Sequence, residues 1–448
     1  MRRYLPLVLL VVLCMPMVAQ KRGPVTLYTL EECIRIALEK NLDVRLANAR
    51  ARASAAGLTA AFGSYLPSAE INAGYQRQLT NLQSQFVFVN GTLIEGEPQP
   101  NSYQLSAGIN WLLFDGFRRE ANYDEARLGV DVSDRDLRTA RLNVVSTVSR
   151  QYFAVLQAQQ IVKTRREAAD LSKATLARVV AQYDAGRSPI TAKYSQETEL
   201  ANMEVSILQA QMDVVRTKSQ LLSTIGEDAS IDAEFAESSV ASSVTTAEID
   251  LYRQRIGTEE QALVRAFDVR PDLRSADLRV KSTEASIRAA RSAYYPRLSG
   301  TVAYAWNNVE VRDFDTRGRI YAGLNLNIPL FDQFRTNLAI ENQILNRTQA
   351  LVDVERLKQQ LRRDMRTAYV QLEYAERGTE IAQYALKTAQ INAEATQERF
   401  NVGSATLLDV QAANNQLVTA RINRVTAIYT YLEARTVVDA TLGTLTEL

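Results

Sequence analysis

Two periodicities divide this chain. Phe117–Tyr183 and Phe334–Phe400 each run 67 residues with no proline and one glycine apiece, Gly129 and Gly378, and are rich in Ala, Leu, Gln, Glu and Arg. Such composition predicts two nearly continuous helices, each about 100 Å long at a rise of about 1.5 Å per residue. Their apolar positions recur at mixed three and four spacing, as in Val145, Val148, Tyr152 and Val155 and in Leu361, Met365, Tyr369 and Leu372. That is a packing stripe of coiled-coil type. A second helix follows each, Ile190–Ser223 and Leu407–Leu442, after the tips Ala185-Gly186-Arg187-Ser188-Pro189 and Val402-Gly403-Ser404. Glycine at a helix end closes a turn, so two antiparallel helical hairpins are predicted.

Upstream of each hairpin the period changes to two. Ala69, Ile71, Ala73 and Tyr75 alternate with Glu70, Asn72, Gly74 and Gln76, and Tyr103, Leu105, Ala107, Ile109 and Trp111 with Gln104, Ser106, Gly108 and Asn110. Later, Leu298, Gly300, Val302, Tyr304 and Trp306 alternate with Ser299, Thr301, Ala303 and Ala305; Ile320, Ala322, Leu324, Leu326 and Ile328 alternate with Tyr321, Gly323, Asn325 and Asn327. The polar face is small and weakly charged, and both tryptophans of the chain fall on the apolar one. A lipid-facing barrel with interfacial aromatics has this pattern, with Trp111 near the periplasmic rim and Trp306 toward the outer one. Open strand edges are not tolerated in lipid, so four strands demand an oligomer. Pro67 and Pro296 mark the change from helix to strand, because proline disfavours helix in the residue before it. Asp115 and Asp332 stand where strand gives way to helix, and their carboxylates are suited to cap free N–H groups.

The halves resemble each other. Pro296 in AYYPRLSGTVAY lies 229 residues after Pro67 in SYLPSAEINAGY, whereas Asp332 follows Asp115 and Gly403 follows Gly186 at 217. The first copy is therefore 12 residues longer between Pro67 and Phe114, a segment that includes the turn-rich run from Asn90 to Ser102. A loop tolerates such an insertion best. Two internal structural repeats follow: residues 24–225, with a short helix, strands 68–80 and 102–113 and the hairpin 116–225; and residues 251–448, with a helix, strands 297–308 and 318–328 and the hairpin 333–445. Residues 226–250 connect them. Their Ser, Ala and acidic residues suit a flexible linker equally well.

Charge and residue usage narrow the function. Of 448 residues, 52 are Lys or Arg and 51 Asp or Glu, for a net charge of +1. Nucleic acid and anionic surfaces require clustered excess base, so neither is an expected partner. The chain has no His, which removes Ser-His-Asp triads and His-ligated zinc. No acidic pair sits in a cleft-forming motif, and neither an enzyme nor a cofactor is expected. Residues 1–19 read as a secretory signal peptide, with Arg2 and Arg3 before the apolar run from Leu5 and a cleavage site after Ala19. Leu13 stands before Cys14 where a lipidation signal needs a small residue. Without the signal only Cys33 remains, so an intrachain disulfide is excluded.

Taken together, TLEECIRIALEKNLDVRLA, the paired YLP and YYP motifs, LLFDG and IPLFDQF, the tips YDAGRSPIT and RFNVGSATLLDVQAA, and the terminal LGTL resemble the TolC-like outer-membrane efflux protein family. The resemblance spans essentially the whole mature chain. It implies a mostly α fold with transmembrane β: a homotrimer whose 12-stranded β-barrel, four strands per chain, is continued by a long periplasmic α-helical barrel. A mixed equatorial belt would hold the connector. The implied role is passive conduction in a tripartite efflux or type I secretion system, with a periplasmic adaptor (membrane fusion protein), an inner-membrane pump and outer-membrane lipid as partners. By the same resemblance Asp409 lines the pore constriction, and Gly186, Arg187, Ser188, Gly403 and Ser404 contact the adaptor. A second acidic position of the family falls on Ala412, and the first-half equivalent of Asp409 is Ala192 beside Lys193, so a weak or mixed-sign selectivity filter is expected. Absent His and only 6 Met argue against a soft-metal specialist. The competing expectation is an envelope-spanning coiled-coil rod without channel activity.

Overall fold

The computed structural model describes residues 26–80, 86–89, 91–95, 99–231, 233–236 and 244–445. The expected signal peptide, Cys14 and residues 237–243 of the connector lie outside the described residues. The chain begins with β1 (Thr26–Tyr28), α1 (Leu30–Lys40), α2 (Leu42–Gly63) and β2 (Ser68–Arg77). A small hairpin, β3 (Phe86–Val89) and β4 (Thr92–Glu95), precedes β5 (Asn101–Phe114), and the first pair of long helices is α3 (Arg118–Asp184) and α4 (Ile190–Ile225). After β6 (Ala233–Phe235) come α5 (Thr246–Ile256), α6 (Glu259–Val269), α7 (Pro271–Arg291), β7 (Arg297–Asn308) and β8 (Arg319–Asn327), then α8 (Arg335–Asn401) and α9 (Leu407–Leu442).

Helices α3 and α8 are 67 residues each and α4 and α9 are 36 each. Their buried residues explain the length. On α8, Met365, Ala368, Leu372, Ala375, Ala382, Leu386, Ala389 and Ala393 are all buried at spacings of three, four or seven. A strict seven-residue repeat keeps one seam against a partner over many turns, and α9 supplies that partner with Ala413, Leu417 and Ala420 opposite Leu386, Ala389 and Ala393.

Three elements differ from the sequence reading. The single short helix expected before β2 is two helices, because Asn41 accepts from the N–H groups of Asp43 and Val44 at 2.8 and 3.3 Å and so starts α2 afresh. Its amide also donates to the Thr224 carbonyl at 2.8 Å, tying the break to α4. Likewise the helix expected before β7 is divided into three, with Gly257 (φ +74) ending α5 and Pro271 opening α7. The insertion between β2 and β5 is partly regular: β3 and β4 pair antiparallel about Gly91.

The core lies at mid-length, where β1 and β6 pair in parallel and lie over α3. Fully buried Tyr152 of α3 places its hydroxyl 2.8 Å from the Ala236 carbonyl and 3.1 Å from that of Tyr28. A buried phenol requires such acceptors. Within residues 226–250, β6 is thus a paired strand, not free linker. On the far side, Arg253 of α5 grips Glu376 of α8 with three contacts of 2.7 to 3.0 Å. Tyr252 donates toward Asp439 and the Arg435 carbonyl of α9. Burial raises the Asp439 pKa despite Arg255 beside it, and burial also pushes the Cys33 thiol up to about 12, leaving it an inert apolar filler.

Candidate functional site

The sheet at one end is four-stranded, in the order β2-β5-β7-β8 and antiparallel throughout. Residues paired across an antiparallel sheet share a face. The register joins Ala73, Leu105 and Trp306 in one row, Ile71, Ala107, Tyr304 and Ile320 in the next, and Ala69, Ile109, Val302 and Ala322 in the next. The opposite face carries Asn72, Ser106, Ala305 and Arg319 in one row and Glu70, Gly108, Ala303 and Tyr321 in another. All four alternations are therefore in phase: one face is apolar, the other polar. A one-residue slip in any strand would destroy this. Among the described residues nothing pairs with the outer edges of strands β2 and β8, and every residue of β8 is exposed.

Both tryptophans lie on the apolar face, at opposite ends. Trp111 sits at the helical end, 48% exposed, and donates to the Tyr65 carbonyl at 3.1 Å. Trp306 sits at the far end and is only 4% exposed. The β7–β8 loop covers it: Phe314 stacks on the indole at 4.3 Å, and Trp306 Nε1 donates to the Arg312 carbonyl at 3.2 Å. Sequence periodicity gave its face but not this cover.

Strand-to-helix corners recur in both halves. Pro67 and Pro296 immediately precede β2 and β7. After β5, Gly116 and Phe117 adopt φ of +71 and +67; after β8, Gln333 and Phe334 adopt +59 and +62. At Gly116 a Cβ would lie 2.6 Å from the Ser292 carbonyl oxygen and Tyr295 Cβ, so only glycine fits. Asp115 accepts from the Arg118 N–H at 3.1 Å and Asp332 from the Thr336 N–H at 2.8 Å. Phe117 packs edge-on against Phe114 at 5.5 Å and Phe334 against Phe331 at 5.6 Å, offsetting the left-handed strain.

At the other extreme lie the hairpin tips. Gly186 (φ +70) and Gly403 (φ +79) reverse the chain with no atom near the space a Cβ would occupy. Gly186, Arg187, Gly403 and Ser404 are exposed, while Ser188 is half-buried. Asp409 is exposed in the first turn of α9, where it completes a capping box with Thr406. Its Oδ2 accepts from the Thr406 N–H at 2.8 Å and hydroxyl at 2.7 Å. Those bonds lower its pKa, the backbone one most.

Just above the tips is a polar contact that periodicity alone does not reveal. Gln196 of α4 is 2% exposed; its amide donates to Ser172 Oγ of α3 at 2.8 Å, and its carbonyl accepts from Gln411 of α9 at 2.8 Å. It stands at the seam spacing of Met203, Ile207 and Ala210 on the same helix, so a polar residue in an apolar stripe was its signal. Through it the two hairpins meet.

Among the described residues no helix is long and apolar enough to cross a membrane. A helical rod ending in a two-faced sheet defines a class, and the family model for outer membrane efflux proteins matches residues 33–227 and 262–444. The chain belongs to that family and is an outer-membrane protein. It is 23% identical over 320 residues to the outer membrane efflux protein BepC of Brucella suis biovar 1, covering 71% of this chain and 67% of that one. To the outer membrane protein TolC of Vibrio cholerae serotype O1 it is 23% identical over 423 residues, 91% of this chain and 89% of the other. The outer membrane channel CmeC of Campylobacter jejuni has the same fold: TM-score 0.75 at 19% identity, covering 93% of this chain and 85% of that structure.

Proposed function

We propose that three copies close edge to edge, β8 of each on β2 of the next, into a 12-stranded barrel in the outer membrane. The observation that carries this reading is the sheet with one apolar face, one polar face and two unpaired edges. In lipid such edges must be closed, and the polar face then lines water. The helices continue the duct into the periplasm as an α-helical barrel. Support comes from apolar stripes left exposed among the described residues: Val205, Leu208, Met212 and Val215 on α4, and Val370, Tyr374, Ile381, Tyr384 and Ile391 on α8. Each stands at coiled-coil spacing and suits a neighbouring copy. The two halves, 24–225 and 251–448, act as repeats of one pattern around the belt. Trp111 and Trp306 mark the two membrane interfaces.

The duct conducts passively and performs no bond chemistry. Its substrates arrive from an inner-membrane pump through a periplasmic adaptor that grips the tips at Gly186, Arg187, Ser188, Gly403 and Ser404, in an efflux or type I secretion system. Purified oligomer added to one side of a planar bilayer should give discrete conductance steps. An inserted oligomer without steps would establish a structural rod instead.

Asp409, once per copy, forms the constriction ring. Its lowered pKa keeps the carboxylate charged at neutral pH. Cation preference should therefore hold at neutral pH and fade on acidification through and below the usual aspartate range near about 3.9. The cap bonds stabilise α9 in the same sense, being present above that range and lost as pH falls through the lowered value. Asp409→Ala should remove the preference at all pH values; unchanged reversal potentials in a salt gradient would refute the ring.

A further inference from the structure

We infer that the outer end of the duct carries an anion-attracting girdle built by Arg317 and Arg319, which favours exit of oxyanion-bearing cargo. The inference rests on the channel reading above. Arg319 pairs with Ala305 and so lies on the polar face, in one row with Asn72 and Ser106. Arg317 precedes it by two residues and lines the same hollow of about 520 Å³, with Asn72, Gln104, Ser106 and Asn307 among its walls. The neutral amides and hydroxyls there are donors as well as acceptors, and none offsets the charge.

No carboxylate of the described residues contacts the pair. Among the described residues neither Arg317 nor Arg319 has an acidic oxygen within ion-pair distance. The nearby acids of the β7–β8 loop are engaged elsewhere: Glu310 and Asp313 on Arg312 at 2.8 and 3.6 Å, and Asp315 on the Thr316 N–H at 2.9 Å. The loop itself is fixed over the apolar side by Tyr304, whose hydroxyl donates to the Phe314 carbonyl at 2.7 Å. A Cβ at Gly318 would collide with Tyr304 and the Phe314 carbonyl, so a glycine allows the chain to pass between the two arginines. The one carboxylate of the strands on this face, Glu70, stands on β2 one row nearer the helices, and Arg297 at the helical end of the face balances its charge. The polar face thus keeps a net positive charge, concentrated at the end away from Asp409.

Closure into a trimer multiplies that charge threefold inside low-dielectric walls, where fields are focused and local counter-ion concentration rises by about 10- to 1,000-fold. Rings of arginine are the way a pore favours anions. Cation preference at the tips and anion attraction at the mouth would make the duct bipolar, admitting cargo at one end and drawing oxyanions, carboxylate or phosphate, toward the exit.

The test uses full-length oligomer in planar bilayers. The helical duct is too long and polar to cross a bilayer, so it stays on the side of addition and the strand loops face the opposite chamber. Inorganic tripolyphosphate added to that far chamber should block wild type at a concentration at least about tenfold lower than it blocks Arg317→Gln/Arg319→Gln. Arg317→Lys/Arg319→Lys should restore the block. Equal block of wild type and the glutamine variant overturns the girdle while leaving the channel reading intact. Inserted wild type without conductance overturns both.

Discussion

Ile320→Arg should abolish the membrane-inserted oligomer, whereas Tyr321→Arg, the next residue along, should leave it intact. Ile320 is 79% exposed on β8 and belongs to the apolar face, in one row with Tyr304, Ala107 and Ile71 and between the rows of Trp306 and Trp111. On a lipid face an arginine between the interfaces costs about 2–4 kcal/mol per copy, and a closed trimer would incur it three times. Tyr321 pairs with Ala303 on the polar face, where a guanidinium stays hydrated. Neither change touches the helices, so circular dichroism should match wild type in both. Outer-membrane extraction followed by electrophoresis without heating measures the oligomer. Equal yields from the two variants would refute the assignment of faces.

That contrast is legible in the sequence itself. Period two alone separates Ile320 from Tyr321, and long proline-free stretches rich in Ala, Leu, Gln, Glu and Arg between glycine-bearing tips give the four long helices to within two residues at each end, because both signals extend over many residues. Features resting on one residue were less accessible. The restart at Asn41 depends on a side chain reaching Asp43 and Val44, and the division at Gly257 on a single left-handed glycine. The cover over Trp306 depends on how a ten-residue loop folds back, which no periodicity encodes. Gln196 was readable as a polar interruption of an apolar seam, but its partners Ser172 and Gln411 belong to α3 and α9 and only packing brings them there. Arg319 is a similar case: alternation puts it on the polar face, while its isolation from Glu310 and Asp313 is a matter of loop geometry.

Gly403→Trp is expected to leave the proposed trimer folded yet reduce export to the level of a strain without the channel. Gly403 closes α8: its N–H donates to the Phe400 carbonyl at 3.0 Å, and the Ser404 N–H to that of Arg399 at 2.7 Å. A side chain at φ +79 costs about 1–2 kcal/mol, small against the buried seam of Leu386, Ala389, Ala393, Ala413, Leu417 and Ala420 that holds α8 to α9. An added Cβ meets nothing within 4 Å, so the indole projects outward, into the space the proposed adaptor would occupy, rather than into the hairpin. Gly403→Ala carries the same backbone strain without the bulk, and in a strain supplying adaptor and pump it should retain most export. Two results would refute docking at this tip: normal export from the tryptophan variant, or equal loss in both, which would assign Gly403 to turning the chain alone. The same pair of substitutions at Gly186, which closes α3 with φ +70 and the Tyr183 carbonyl as acceptor at 2.9 Å, then separates the two hairpins. If only Gly403 is sensitive to bulk, the adaptor grips the α8–α9 tip and the first tip is a turn.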